Sequence, residues 1–445
     1  MKRLLCLLLT ALLILTAALA AAEEPETRLT DYVTSLMAGD DNDALYAQLD
    51  GAMQAAIPRD EFDLLWPQLL DICGDFVGYH GATEVKEVAG YTVLTQPLDM
   101  ADSDLLCTMS LHDDGTIAGL MFTFYELPAE EEETVQLPYA VKEESVRIGE
   151  RPWQVSGTLL IPESDKPVPA VVLVQGSGAT DRDESIYAVK PFRDIARALA
   201  PKGIAVLRYD KRTYTYRGQL VGATSFRTLS VEEEVIQDAI FAGRLLAADS
   251  RIDPQRIYIM GHSLGAMLAP RIVAESGGVF SGMILAAGTN RSFLDVLLRQ
   301  ATEVGGISER ERAELIADGE AIYGITTAEE AQQSMFNGLY DYYYWEMLQY
   351  PTPAEYLEEL ALPTLIINGS RDIQVIEQEG RDTWEEVLDM DAPWLSYYWT
   401  DVNHMLMRPD VAPSKMRTVD EYKVNCTVAE DVTDRMADFI LNTEE

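Results

Sequence analysis

Hydrophobic residues follow one kind of pattern before about residue 128 and another kind after it. In the first part, apolar residues recur at helical spacing between Leu29 and Met37, and from about residue 83 they fall into short extended runs. Asp113-Asp114-Gly115 separates the last two runs, as the turn of a β-hairpin would. Helices followed by paired strands predict a small α+β unit over residues 25–128.

After residue 139, short continuous apolar runs alternate with helix-like segments. The runs that we interpret as strands are 171–174, 204–207, 257–260, 283–286 and 364–367. Continuous apolar strands joined by helices are typical of a parallel sheet that is covered on both faces. Two earlier strand-like segments, near 140–148 and 153–160, would add an antiparallel edge. The pattern therefore predicts a doubly wound, mostly parallel α/β unit over residues 139–445.

Between these two units, Pro128-Ala129 is followed by four consecutive glutamates, which predicts a solvated linker over residues 129–138. A chain of 445 residues with 47% hydrophobic residues is long enough to build two domains. Its net charge of −40 disfavours nucleic acid as a partner. Since no CxxC motif or histidine cluster is present, we expect no metal and no cofactor.

The N-terminus has the features of a secretory signal peptide. Lys2 and Arg3 precede an apolar run that ends in Ala20-Ala21-Ala22, which predicts a signal peptide over residues 1–22, cleaved after Ala20 or Ala22. An uncleaved membrane anchor is the alternative, because the run is nearly long enough to span a bilayer. We therefore expect a secreted or cell-envelope-associated protein.

Removal of the signal peptide would leave three cysteines, which allow at most one disulfide. Cys73 and Cys107 are the plausible pair because both lie in the first unit. The sequence leaves open whether this bridge forms.

The pentapeptide Gly261-His262-Ser263-Leu264-Gly265 carries the strongest chemical signal. It follows the apolar run at 257–260 directly and precedes a helix-compatible stretch, 264–275. A serine on a tight turn between a strand and a helix is typical of a nucleophile elbow, and the turn requires glycines because larger side chains would collide with its neighbours. We therefore predict Ser263 as a nucleophile, with the side chain of His262 pointing away from the site.

A serine hydroxyl needs a general base, and the chain offers four histidines. His80 and His112 lie in the first unit, and His262 adjoins the serine on the turn. Elimination leaves His404, in the loop that follows a strand-like segment at 394–399, as the candidate base.

The histidine in turn needs a carboxylate that orients its ring. Asp372 is the favoured candidate because it lies just beyond the strand predicted at 364–367. Asp401 is the rival, although only two residues separate it from His404. With Asp372, the chain order is Ser263, Asp372, His404, which is the order of α/β-hydrolase sites.

An acyl-transfer site also needs backbone N–H groups for the developing oxyanion. The predicted donors are Leu264, which follows the nucleophile, and a residue of the glycine-rich loop after 171–174. On that loop Ser177 is the first choice and Gly176 the second. Asp210, at the end of the next strand, is expected to be a structural partner of Arg208 or Arg212.

Residues 290–362 are predicted to form a mostly helical insertion before the strand at 364–367, and we interpret this insertion as a lid. It is rich in aromatic residues, including Tyr342-Tyr343-Tyr344-Trp345. These residues either line a pocket for an acyl or aryl group or form the packing core of the insertion itself.

Taken as a set, the segments "VLVQGSG", "LRYDKR", "YIMGHSLGA", "IINGSRD" and "VNHMLM" resemble bacterial α/β-hydrolase esterases related to serine aminopeptidases and dienelactone hydrolase-like proteins. The resemblance covers about residues 139–443. It implies hydrolysis of a small-molecule carboxylic ester through an acyl-enzyme on Ser263, with Asp372 and His404 completing the triad. Many relatives have His-Gly where this chain has Gln175-Gly176, so substrate contacts from that position are in doubt.

The first unit resembles a small domain of unknown function that precedes bacterial secreted hydrolases. The likeness lies in the spacing of Trp66, Gly74 and Phe76 and in the closing "DDGTIAGLMF". It implies a cystatin- or NTF2-like shape without established chemistry. Two other functions stay open: a peptidase or acyltransferase on the same fold, and a protein that binds the cell envelope through the first unit and has secondary hydrolase activity. The sequence leaves the oligomeric state open.

Overall fold

A computed structural model of the protein describes residues 25–38, 42–79, 82–88, 90–100, 104–124, 139–216, 224–303, 308–411 and 420–442. The chain forms two compact units, Met1–Glu133 and Thr134–Glu445. The predicted signal peptide, 1–22, and the predicted linker, 129–138, lie outside the described residues. Within the described ranges, no helix combines the length and apolar character that a membrane span requires.

The first unit has helices followed by an antiparallel sheet, as the hydrophobic pattern predicts. Its helices α1 to α5 are Pro25–Ala38, Asn42–Tyr46, Gly51–Ala56, Arg59–Phe62 and Leu65–Cys73, and its strands β1 to β5 are Phe76–Tyr79, Glu84–Val88, Tyr91–Met100, Leu105–Leu111 and Ile117–Phe124. The strand order is β1-β3-β4-β5, and β2 pairs with β3. The turn at Asp113–Gly115 joins β4 to β5, which pair antiparallel. The α-then-β order is therefore confirmed, whereas β1 and β2 were not anticipated. The cystatin- or NTF2-like shape stays a prediction.

The two cysteines of this unit lie in its apolar core as thiols. Cys73 and Cys107 are both 0% exposed, in a cluster that includes Trp66, Leu94 and Met109. Burial raises the pKa of the Cys107 thiol to about 12. The structure thus answers the question that the sequence left open: Cys73 and Cys107 are not bridged, and apolar packing holds these side chains in place.

The second unit is organised around an eight-stranded sheet within the described residues. Its strands are β6 Val141–Ile148, β7 Val155–Pro162, β8 Val168–Val174, β9 Ala205–Tyr209, β10 Ile252–His262, β11 Gly282–Ala286, β14 Thr364–Gly369 and β15 Leu395–Thr400. They lie in the order β15-β14-β11-β10-β8-β9-β7-β6. Neighbours from β15 to β9 pair parallel, whereas β7 pairs antiparallel with both β9 and β6. The parallel sheet and its antiparallel edge are thus both confirmed.

Helices cover the two faces of this sheet. Those outside the insertion are α6 Pro191–Leu199, α7 Arg212–Thr215, α8 Gln237–Ala247, α9 Leu264–Glu275, α15 Arg381–Glu385 and α16 Glu430–Asn442. Val172 and Ile259 belong to one buried apolar cluster, and their chain neighbours Val171 and Met260 belong to another. Successive side chains of a strand point to opposite faces of the sheet. Burial on both faces therefore explains why these strands consist of continuous apolar runs.

The segment between β11 and β14 is mostly helical, as predicted. It contains helices α10 Phe293–Glu303, α11 Glu309–Ala321, α12 Ala328–Ala331, α13 Asp341–Met347 and α14 Pro353–Leu360, with the short strands β12 Met335–Phe336 and β13 Leu339–Tyr340. Phe336 and Tyr343 both contact Tyr344 edge to face, with ring centroids 5.3 Å and 5.5 Å away. All three rings are buried. Part of the aromatic set therefore forms a packing core of this segment.

Candidate active site

Ser263 occupies a strained turn between β10 and α9. Its φ of 53° and ψ of −118° lie in a region that residues with a side chain rarely adopt. Its backbone N–H donates a hydrogen bond to the carbonyl of Ala286, the last residue of the neighbouring strand β11, at 2.9 Å. The turn thereby holds Ser263 at the carboxyl end of the sheet, where α/β folds bind their ligands.

Two glycines allow the chain to make this turn. A Cβ on Gly261 would lie 2.1 Å from the carbonyl oxygen of Gly265, and a Cβ on Gly265 would lie 2.3 Å from the carbonyl oxygen of Val174 on β8. Both distances are far below van der Waals contact. The glycines of the pentapeptide are therefore required by the close approach of a strand and a helix.

We expect Gly265→Ala to destabilise the second unit by about 3 kcal/mol or more, since backbone atoms rather than a flexible side chain oppose the new methyl group. Thermal unfolding followed by circular dichroism would measure the loss. Gly324→Ala is the matched control, because a Cβ at Gly324 would meet no atom within 4 Å. Equal melting temperatures for the two variants would contradict the prediction.

Asp372 and His404 are in direct contact. His404 Nδ1 donates to Asp372 Oδ2 at 2.8 Å, and the side chains are 3% and 0% exposed, respectively. The other carboxylate oxygen, Oδ1, accepts the backbone N–H groups of Gln374 and Val375, both at 2.8 Å. These bonds fix the carboxylate against Nδ1 and leave Nε2 as the ring nitrogen that can exchange a proton with another group.

The rival acid, Asp401, lies in a different environment. It is exposed and pairs with Arg408, whose Nε donates to Asp401 Oδ1 at 2.6 Å. Proximity in sequence to His404 therefore does not bring the Asp401 carboxylate to the ring, whereas Asp372, 32 residues away, reaches it.

His262 does not point away from the site, so that expectation is wrong. Its Nε2 donates to the backbone carbonyl of His404 at 2.8 Å, and the centroids of the two rings lie 4.9 Å apart. The ring is 2% exposed. The reason lies in the path of the loop after β15: two strands separate β15 from β10, and the loop brings the backbone of His404 back to the end of β10.

The structure distinguishes the two backbone donors predicted on the glycine-rich loop. The N–H of Gly176 donates to Glu184 Oε1 at 2.5 Å, so this N–H is occupied and the second-choice assignment is not supported. Ser177, the next residue, remains the candidate on this loop. The other candidate, Leu264, is the first residue of α9, where backbone N–H groups lack partners within the helix.

Lys211 holds the same loop by hydrogen bonds to two of its backbone carbonyls. Its Nζ donates to the carbonyls of Gly176 at 2.6 Å and Gly178 at 3.0 Å, and the side chain is 1% exposed. The amide of Gln175 donates to the carbonyl of Tyr209. Two buried polar side chains, Lys211 and Gln175, therefore hold the loop, and the sequence indicated this structural role for neither of them.

Asp210 has a structural role, as expected, but the predicted partners are wrong. It accepts two hydrogen bonds from the side chain of Arg182, Nε to Oδ1 at 2.9 Å and Nη2 to Oδ2 at 2.7 Å, and one from the backbone N–H of Arg182 to Oδ1 at 3.0 Å. Arg212 pairs instead with Asp238. The run Asp181-Arg182-Asp183-Glu184, directly after the glycine-rich loop, is a signal from which this network could have been suspected.

A cavity of about 530 Å³ adjoins the glycine-rich loop. Its lining includes Ser177, Glu234, Phe293, Tyr343 and Tyr344. Tyr343 donates to Glu234 Oε2 at 2.5 Å, and burial together with this carboxylate raises the pKa of Tyr343 well above its ordinary value. Tyr343 and Tyr344 are core residues of the insertion that also line the cavity. The two alternatives for the aromatic residues, pocket lining and packing core, therefore both apply to them.

Comparison with known proteins gives a family match and a related protein. Residues 171–412 match the Alpha/beta hydrolase family. The chain is 32% identical to Esterase EstD of Thermotoga maritima over 341 residues, which cover 73% of this chain and 76% of that protein.

Solved structures give weaker likenesses. Est1E from Butyrivibrio proteoclasticus is 13% identical, with 67% of this chain and 98% of that chain covered and a TM-score of 0.42. An esterase of Pyrococcus furiosus is 17% identical, with 71% and 96% covered and a TM-score of 0.40. Similarity at this level carries no information about substrate. On the match over residues 171–412 and the identity with the Thermotoga protein, the chain belongs to the alpha/beta hydrolase family.

Proposed function

We propose that this protein is a serine hydrolase that cleaves carboxylic esters of small molecules. The observation that carries the proposal is the buried Asp372–His404 pair, at 2.8 Å, in the same unit as a serine held on a strained strand-to-helix turn. His262, the neighbour of that serine, bonds to the backbone of His404, which brings the elbow and the histidine loop together. The 32% identity to a protein named as an esterase supports the same reaction.

In the proposed mechanism, Ser263 Oγ attacks the ester carbonyl carbon while His404 Nε2 takes the hydroxyl proton. Asp372 holds the ring and stabilises the imidazolium. The N–H groups of Leu264 and Ser177 donate to the developing oxyanion. Collapse of the tetrahedral intermediate breaks the bond to the alcohol oxygen, which receives the proton from His404. Water, deprotonated by His404, then attacks the acyl-serine ester and releases the carboxylic acid and free Ser263.

The cavity of about 530 Å³ is proposed to receive the acyl group, with the insertion acting as a lid over it. Its wall combines aromatic rings such as Phe293 and Tyr344 with the loop that carries Ser177. A cavity with mostly apolar walls and a few polar groups suits an uncharged acyl chain or aryl group.

Leu297→Trp, which enlarges a side chain lining this cavity, should lower kcat/KM for p-nitrophenyl hexanoate by about tenfold, while the value for the acetate changes less than about twofold. The physical reason is that only the longer acyl chain needs the filled volume. Leu441→Trp, at an exposed position of α16, is the control. An unchanged hexanoate-to-acetate ratio would place the acyl group elsewhere.

The reaction itself is tested with purified protein, short p-nitrophenyl esters and a fluorophosphonate probe. We expect ester turnover and covalent labelling at Ser263, mapped by mass spectrometry. Aminoacyl-arylamides test the peptidase alternative, and faster cleavage of these amides than of esters would overturn the ester assignment. Absence of both turnover and labelling would overturn the serine hydrolase proposal.

A further inference from the structure

A buried charge pair lies next to Ser263, and the proposed mechanism assigns it no role. Glu184 and His262 are 5% and 2% exposed, and Glu184 Oε2 lies 3.0 Å from His262 Nδ1. Glu184 comes from the loop after β8. His262 is the last residue of β10, so only a peptide bond separates it from Ser263.

Each member of the pair holds a loop that carries proposed active-site groups. Glu184 Oε1 accepts the N–H of Gly176, the residue before Ser177, at 2.5 Å. His262 Nε2 lies 2.8 Å from the carbonyl oxygen of His404. A carbonyl oxygen can only accept, so Nε2 carries a proton. The pair therefore connects the oxyanion loop, the elbow and the histidine loop in one chain of contacts.

The backbone of Glu184 is held in a conformation that favours glycine. Its φ is 54°, in the left-handed region. Asp181 Oδ1 stabilises the turn by accepting the N–H groups of Asp183 and Ser185, at 3.1 Å and 2.9 Å. The two-bond contact of the Arg182 side chain with Asp210 fixes the same turn to β9. Residues kept strained by their surroundings concentrate at functional sites, so the strain at Glu184 points to a functional role for its carboxylate.

We propose that Glu184 and His262 are positioning residues for the hydrolytic reaction. His262 holds the backbone of His404, and Glu184 holds the loop of Ser177. The charged pair thereby fixes the positions of both relative to Ser263. Asp372 orients the ring of His404, whereas His262 fixes the backbone from which that ring projects. The kinetic effect of the pair rests on the proposed function. The structural claim, that a protonated His262 lies beside a carboxylate, is independent of that function.

Electrostatics favour the charged form of His262. Burial lowers the pKa of His262, but the Glu184 carboxylate, the His404 carbonyl and the Asp372 carboxylate together outweigh burial and raise the pKa above its ordinary value. A raised pKa in the folded state means that the proton stabilises the fold fully below the ordinary pKa, about 6.5. The stabilisation is lost as pH rises through the folded-state pKa. Without the carboxylate, burial would dominate and the ring would lose its charge.

The kinetic test compares Glu184→Gln, His262→Gln and the double variant with wild type. Each single variant should lower kcat by about 10-fold to 100-fold with KM within about twofold, because misplacement of His404 or the Ser177 loop slows the chemistry rather than substrate binding. The double variant should lose no more than the larger single loss, since both changes break one pair. The pH profile of kcat should also change shape in Glu184→Gln, because the pKa of His262 falls.

Asp238→Asn is the matched control. Asp238 is also fully buried and paired with an arginine, with Arg212 Nη2 2.6 Å from Asp238 Oδ1, but it does not touch the proposed catalytic groups. We expect it to lower the melting temperature while kcat stays within about twofold. If the three pair variants lose kcat only in proportion to their folded fraction, with pH profiles that superimpose on wild type, the pair is structural and the proposal is wrong.

A second readout needs no substrate. The chain has four histidines, so ¹⁵N-histidine labelling resolves each imidazole, and the signal missing in His262→Gln identifies His262. We expect both ring nitrogens of His262 to carry protons at about pH 7 in wild type, and only one in Glu184→Gln. A neutral His262 in wild type would overturn the proposal even if Glu184→Gln failed to fold. If wild type cleaved no ester, the proposed function would fail while this measurement still reported on the pair.

Discussion

Ser263→Ala should reduce kcat for p-nitrophenyl acetate by about 10⁴-fold to 10⁶-fold, because the substitution removes the attacking oxygen and with it the acyl-enzyme route. The remaining rate would come from substrate binding and the oxyanion donors alone. The fold should survive. The strained φ of 53° belongs to the backbone, and alanine replaces serine there without added volume. Steady-state kinetics and circular dichroism measure the two effects separately.

The control for this change is Ser164→Ala, in an exposed turn between β7 and β8 of the same unit. Its hydroxyl oxygen only accepts a local backbone N–H, from Lys166 at 3.2 Å, so kcat should stay within about twofold. Fluorophosphonate labelling should disappear in Ser263→Ala and persist in the control. Retention of turnover by a well-folded Ser263→Ala would exclude Ser263 as the nucleophile.

Asp372→Asn should lower kcat by about 10⁴-fold, the size of effect expected when the carboxylate that orients a catalytic histidine becomes an amide. The amide NH₂ can donate to Nδ1, which would move the ring proton to Nε2, the atom that must accept the proton of Ser263. The side chain is 0% exposed and keeps its volume, so the effect acts through the tautomer of His404.

Asp401→Asn tests which of the two candidate carboxylates, Asp372 or Asp401, acts on His404. Asp401 is exposed and bonded to Arg408, so its amide should leave kcat within about twofold. A large loss in Asp401→Asn together with a small loss in Asp372→Asn would reverse the assignment. If both variants lost kcat equally and strongly, and lost secondary structure in parallel, the measured effect would be one of stability and not of chemistry.

Much of the fold could be predicted from the sequence because it depends on local patterns. A strand buried on both faces has to be apolar throughout, as at Val168–Val174 and Gly282–Ala286. The elbow is visible because its two glycines and its serine fall within five residues and are required by one tight turn. The turn at Asp113–Gly115 is of the same kind, since its residues favour the backbone of a hairpin loop.

Contacts between distant residues could not be predicted in this way. His262 and His404 are 142 residues apart, and their contact depends on β10 being central and on the path of the loop after β15. The bond from Gly176 to Glu184 likewise depends on how the 16-residue loop between β8 and α6, 175–190, folds back on its own start. The pattern of hydrophobic residues along the chain contains no information about such contacts.

The sequence by itself determined the class of fold, the serine on its turn, and the single histidine that elimination left for the role of base. The tertiary structure alone decided that Asp372 rather than Asp401 contacts His404, that the N–H of Gly176 is occupied, and that Cys73 and Cys107 are buried thiols. The physical reason is the range of each interaction. Backbone preferences and alternation of burial act between near neighbours and leave periodic traces in the chain. The partner of a buried polar side chain is set by which strands and loops become adjacent, and that is known only when the sheet order is known.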